Sequence, residues 1–195
     1  MHSIHVDVMD GDFVPRLGLF PEFVSSVREL TNIPIEVHMM MRRPEAFFSV
    51  FAQAGATRVI PHVEVLEHPH RSIDEALACG LETGVALNID TPIDRLRFIA
   101  DPLSSITLMA INPGIVGHRL IPSIHAKLAH ARAWVADQGL KTKLEVDGGV
   151  TFETFRGLLE SGADGVVLGA GTIFSSDGTP EQNLARLRSD LDARR

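Results

Sequence analysis

His5 and Asp7 stand two residues apart in the stretch Ile4 to Met9, where apolar and chemically useful residues alternate. A strand here would carry His5, Asp7 and Met9 on one face and Ile4, Val6 and Val8 on the other. An imidazole nitrogen and a carboxylate side by side on one strand face are half of a four-ligand metal site. Asp10-Gly11 then supplies a turn at which the strand ends. The pattern recurs in Ile35 to Met40, with Glu36, His38 and Met40 on one face, and Leu144-Glu145-Val146-Asp147-Gly148-Gly149 ends a third strand on a carboxylate. Taken singly, these are a half-buried strand end, a core histidine and a tight turn. Together His5, Asp7, His38 and Asp147 form a nitrogen and oxygen donor set for one divalent ion, Zn(II) foremost, with Mn(II), Fe(II) and Co(II) as further occupants.

Two carboxylates on different strands across a cavity suit a proton moved from one face of a carbon to the other. Asp7 and Asp147 are therefore the candidate acid and base, coupled through the ion they share. An ion beside them would polarise an adjacent carbonyl. Three glycine-rich strand ends follow: Asn112-Pro113-Gly114-Ile115-Val116-Gly117, then Gly148-Gly149, then Gly169-Ala170-Gly171. Backbone N–H groups left free at such turns can cradle a phosphate. Met9, Met40 and Met109 fall on the same strand faces as the ligands, where they would floor the site or simply pack a core. His62, Glu64, His68 and His70 cross a strand end and a loop, a spacing that does not favour a second metal site.

Positioning these residues requires an alternation of strands and helices. Pro21 and Pro44 open helices at the position where a missing N–H costs nothing, with Val24, Val27 and Leu30 apolar in the first and Phe47, Val50, Phe51 and Ala54 at i, i+3, i+4 and i+7 in the second. Strands are expected near Thr57 to Val63, Gly84 to Asn88, Ile106 to Ile111, Thr142 to Asp147 and Gly165 to Leu168. Helices are expected up to Gly80, after Thr91-Pro92, from about Pro122 to Gly139, across Phe152 to Leu159, and after the capping box Thr179-Pro180-Glu181-Gln182. Seven strand-helix pairs result, which means parallel strands in an open sheet or a closed barrel. Candidate residues at the ends of four or more strands favour a barrel, whose C-terminal rim pools residues from every strand.

A chain of 195 residues fits one domain, residues 1–195. Its net charge of −7, without a Lys/Arg run, argues against a nucleic-acid surface. Cys79 is the single cysteine, which excludes an intramolecular disulfide and a thiolate cluster and points to a reducing compartment. The strand pattern begins within a few residues of Met1, and no apolar run approaches the ~20 residues of a membrane helix, so a cytoplasmic protein with no membrane partner is expected.

The residues also resemble a known family over nearly the whole chain, that of ribulose-phosphate 3-epimerase. The similarity rests on His5-Val6-Asp7-Val8-Met9-Asp10-Gly11 with Phe13-Val14-Pro15, Val37-His38-Met39-Met40, Leu87-Asn88 with Thr91-Pro92, Asn112-Pro113-Gly114 with Gly117, Glu145-Val146-Asp147-Gly148-Gly149, and Gly162-Ala163-Asp164 leading to Gly169. The resemblance implies a phosphate-binding (β/α)8 barrel that interconverts ribulose 5-phosphate and xylulose 5-phosphate. It implies that Asp7 and Asp147 are the acid/base pair, and that His5, Asp7, His38 and Asp147 hold the metal. The same resemblance puts Gly114, Ile115, Val116, Gly117, Gly148, Gly149, Gly169 and Ala170 where the family grips its substrate, a small sugar phosphate, and His38, Met9, Met40 and Met109 are candidate substrate contacts beside them. It leaves a homo-oligomer open.

The chain also departs from the family pattern. The family's Gly-Phe-Gly-Gly-Gln is Gly114-Ile115-Val116-Gly117-His118, and Ala170 replaces a Ser or Asn that would offer the phosphate a side-chain donor. Asn88-Ile89-Asp90-Thr91-Pro92 departs from Asn-Pro-x-Thr-Pro, which keeps a related ketose phosphate such as allulose 6-phosphate in play. The family's first βα unit, ~30 residues with a substrate-contacting Ser, has no counterpart, so an incomplete barrel is expected, with a catalytically silent remnant as the competing reading.

Overall fold

Seven strands form one parallel sheet in chain order in the computed structural model, which describes residues 2–115 and 117–192. The strands are β1 (Ile4–Met9), β2 (Ile35–Met40), β3 (Arg58–Pro61), β4 (Glu82–Leu87), β5 (Ser105–Met109), β6 (Lys143–Asp147) and β7 (Gly165–Val166). The helices are α1 (Pro21–Leu30), α2 (Phe48–Gln53), α3 (Pro69–Ala78), α4 (Ile124–Asp137), α5 (Phe155–Glu160) and α6 (Pro180–Asp192). Each strand pairs with the next, so the sheet curls into a barrel one βα unit short of eight, with β1 and β7 as its unpaired edges. No helix among the described residues is long and apolar enough to cross a membrane.

Alternation along the strands sorts the residues into two layers. Val6, Val8, Ile35, Val37, Met39 and Val59 are buried together with Val24 of α1 and with Phe48 and Phe51 of α2. Val85, Leu87, Ile106, Leu108, Leu144 and Val146 form a second cluster with α4 and α5, including Leu128, Trp134, Phe155 and Leu158. The opposite strand faces carry the polar residues together with Met9, Met40 and Met109.

Several elements differ from the pattern read in the sequence. A 3-10 turn over Pro44–Phe47 precedes α2. Its three residues per turn break the 3.6-residue frame, so Phe47 and Val50 are exposed while Phe48, Phe51 and Ala54 are buried. Leu30 is 85% exposed, because i+6 from Val24 lies ~240° around the helix and off the buried face. The segment after Thr91-Pro92 is a single 3-10 turn, Ile93–Leu96. Strand β7 stops at Val166, with one further backbone bond from Val167 N–H to the Val146 carbonyl. The capping box forms as read: the Gln182 N–H donates to Thr179 Oγ1 and the Thr179 N–H to Gln182 Oε1.

An edge strand presents unpaired backbone groups, and at β1 the loop that follows folds back on it. The Gly18 N–H donates to the Met9 carbonyl at 3.1 Å and the Leu19 N–H to the Asp7 carbonyl at 3.0 Å. A Cβ on Gly18 would meet Met9 N at 2.7 Å and Asp7 O at 2.9 Å, so only glycine permits this approach.

Candidate active site

Sheet register brings the predicted ligands together. Asp7 pairs with His38 across β1 and β2, His5 with Glu36, and Met9 with Met40, while Met109 of β5 pairs with Asp147 of β6. A slip of one residue would turn all of them to the helix side, and the buried apolar set on that side prevents it.

His38 Nδ1 lies 3.1 Å from Asp7 Oδ1 and 3.3 Å from Asp147 Oδ2, and His5 Nε2 lies 3.4 Å and 3.9 Å from the same two oxygens. All four donor atoms fall within 4.8 Å of one another. A tetrahedral site with bonds of ~2.05 Å has edges of roughly 3.3 Å, close to most of these separations. His5 Nε2 is buried with no hydrogen-bond partner and points at the cluster. The donor set and this orphaned nitrogen fit a divalent ion. Among the described residues no second group of this kind occurs, and His68 and His70 lie apart from it.

A carboxylate holds the far side of the His5 imidazole, and a second imidazole, that of His62, holds the far side of His38. His5 Nδ1 is 2.7 Å from Glu36 Oε1. Glu36 is itself bonded by Arg58 and by the Ser3 hydroxyl, and Arg58 reaches Glu145 at 3.1 Å. Burial opposes charge on His5, but the carboxylates of Asp7, Glu36 and Asp147 that surround it raise its pKa to about 10. Burial likewise works against ionisation of Asp7, yet hydrogen bonds from His38 and His5 hold its carboxyl well below the usual range. Glu36 is drawn down to about 2, its burial outweighed by His5 and Arg58. His38 is raised by Asp147 and Asp7 against burial, whereas burial pushes the neighbouring His62 down.

Asp7 and Asp147 open onto a cavity of about 1010 Å³. Met9, Met40 and Met109 line it. Its rim includes Gly114, Ile115, Gly117, Gly148, Gly149, Gly169 and Ala170, while Val116 lies outside the described residues. None of the N–H groups of Gly148, Gly149, Gly169, Ala170 and Gly171 is taken by a protein acceptor among the described residues. His38, expected at the substrate, is instead fully buried behind the carboxylates and does not line the cavity.

Sequence reasoning missed Arg16 and Arg119, which bring cationic side chains to the same cavity from loops without periodicity, and His118, which lines it beside them. It also left Glu36 without a role, although Glu36 shares its strand face with His38.

A model of the ribulose-phosphate 3 epimerase family matches residues 1–174. The chain is 38% identical to a ribulose-phosphate 3-epimerase of Bacillus subtilis over 175 residues, covering 89% of this chain and 81% of that protein. It is 35% identical to one of Rhodobacter capsulatus, covering 97% and 84%. Among solved structures, the tryptophan synthase α-subunit of Pyrococcus furiosus superposes with a TM-score of 0.64 at 18% identity, over 95% of this chain and 83% of that one, a likeness of fold.

Proposed function

This chain belongs to the ribulose-phosphate 3-epimerase family, an isomerase family, and we propose that it epimerises C3 of a ketose phosphate, ribulose 5-phosphate to xylulose 5-phosphate, by two-aspartate proton transfer. Its relatives support a pentulose phosphate as substrate. One observation carries the mechanism: Asp7 and Asp147 converge from separate strands on the same two imidazoles at the floor of a glycine-rimmed cavity. His5, Asp7, His38 and Asp147 would hold a divalent ion, Zn(II) foremost, whose chemistry is Lewis-acid stabilisation of negative charge developing on the substrate's oxygens. One aspartate takes the C3 proton from one face of the carbon, and the other delivers a proton to the opposite face. The methionine floor excludes water, and the free N–H groups of Gly148, Gly149, Gly169 and Ala170 take the phosphate. Arg16 and Arg119 offer the side-chain donors that Ala170 lacks.

The test is exchange of the C3 proton in D2O, followed by NMR, with pentulose and hexulose phosphates and with Zn(II), Mn(II) or Fe(II) added. Metal-dependent exchange and epimerisation of ribulose 5-phosphate are expected. Exchange with no substrate of the panel would refute the assignment.

A further inference from the structure

His62 follows β3 and is fully buried. Its Nε2 sits 2.9 Å from His38 Nε2, the two rings stack at 5.0 Å with a 22° tilt, and its Nδ1 is 3.2 Å from Glu64 Oε2. The other carboxylate oxygen, Glu64 Oε1, accepts the Asn88 N–H at 2.8 Å and the Thr91 hydroxyl. Lys127 in turn clamps that loop, with Nζ donating to the carbonyls of Asn88, Ile89 and Thr91. Burial disfavours charge on Glu64, but hydrogen bonds from His62 and Thr91 bring its pKa to about 2, so it stays an ionised acceptor.

We infer that His62 and Glu64 are positioning residues that act as a directional relay, fixing the proton of His38 on Nε2 and thereby presenting the Nδ1 lone pair to a cation. The inference rests on His38 being a metal ligand, as read above. A carboxylate only accepts, so the His62 proton facing Glu64 must sit on Nδ1. A neutral His62 then has a lone pair on Nε2, and the contact with His38 Nε2 is satisfied only if His38 donates there. The remaining lone pair of His38 is on Nδ1, which faces Asp7 and Asp147. Glu36 does the same for His5 in one step; on the His38 side the nearest carboxylate is farther, and a second imidazole bridges the distance.

Three variants separate this role from simple packing. His62→Phe keeps a stacked ring and removes both nitrogens. Glu64→Gln cannot serve both sides at once: either its NH2 meets the Asn88 N–H, or it forces the His62 proton onto Nε2 against that of His38. His62→Gln restores an acceptor towards His38 and a donor towards Glu64. Zn(II) affinity, measured by chelator competition, should fall ~10- to 100-fold in His62→Phe and Glu64→Gln and recover largely in His62→Gln. Two-bond 1H–15N spectra of zinc-loaded wild type should show His38 protonated on Nε2 and His62 on Nδ1, a measurement that holds even if a variant does not fold. Stoichiometric zinc with the His62 proton on Nε2, or with undiminished affinity in His62→Phe and Glu64→Gln, would overturn the relay and leave the metal site standing. Wild type that binds no zinc would overturn the metal site and the relay with it.

Discussion

At the scale of single residues, the carboxylates divide into those that face the cavity and those that hold an imidazole from behind. Asp7 and Asp147 are the first kind. Asp7→Asn and Asp147→Asn should each lower kcat ~10²- to 10⁴-fold, because each amide removes one of two proton carriers, while either variant can still exchange the proton on its intact face. Epimerisation at the wild-type rate by either one would eliminate the two-base scheme. Glu64 is the second kind, and its effect is on stability. Its pKa falls from 4.5 to about 2 on folding, so the unfolded chain binds the proton first and stability rises with pH between those values. The contribution, on the order of 3 kcal/mol, is complete above about pH 4.5 and lost as pH falls through about 2. Urea unfolding of wild type and Glu64→Gln from pH 7 to 2 should show the gap between them closing on the acid side. A constant gap would mean that Glu64 is not held ionised by the fold.

The strands show why some of the site could be read from residue order. A period of two assigns His5, Asp7, Glu36 and His38 to one side of the sheet without any three-dimensional information, and the register confirms the face. His62 has the same parity as Arg58 and Ile60, but it lies one residue beyond the end of β3 at an isolated bridge to Ala86, and its partner Glu64 belongs to a 3-10 turn. Residue order puts His62 inside the strand expected over Thr57 to Val63 and weighs it with Glu64 only for a second metal site; that the two hold His38 from behind depends on contacts across strands that no periodicity encodes. Phe47 and Leu30 were misplaced because a 3-10 turn and a spacing of six each spoil the helical frame. Glycine turns were legible as turns, but their necessity is geometric. Gly148 has φ +91°, and a Cβ there would come within 2.3 Å of Ile111. Gly148→Ala should therefore cost about 1 to 3 kcal/mol of stability, read by urea unfolding, and raise KM for the phosphorylated substrate. An unchanged KM would place the phosphate elsewhere on the rim.

For the whole molecule, the open side of the sheet sets the problem, since β1 carries His5 and Asp7 and is also an edge. Edge strands in natural proteins are covered, and here the cover is the loop through Gly18 and Leu19, which takes up the carbonyls of Asp7 and Met9. The cover is partial: Phe20 and Phe23 beside β1 and Phe174 beyond β7 remain exposed. Gly18→Val would drive a side chain into Met9 N and Asp7 O, lift the loop and free two carbonyls, at about 1 to 3 kcal/mol each if they stay buried. Because Asp7 sits on the loosened strand, kcat should fall with stability, and a displacement of ~1 Å can cost ~10²-fold in rate. An added N-terminal βα unit taken from a relative would pair the same edge and bury the exposed phenylalanines, so it should raise Tm and kcat together. The two changes compete for one strand edge and should not be additive: in the lengthened chain Gly18→Val should cost much less than in the present one. Thermal melts and kcat for the four proteins of this cycle decide the matter, and an equal cost of Gly18→Val in both backgrounds would show that the loop does not stand in for a neighbouring strand.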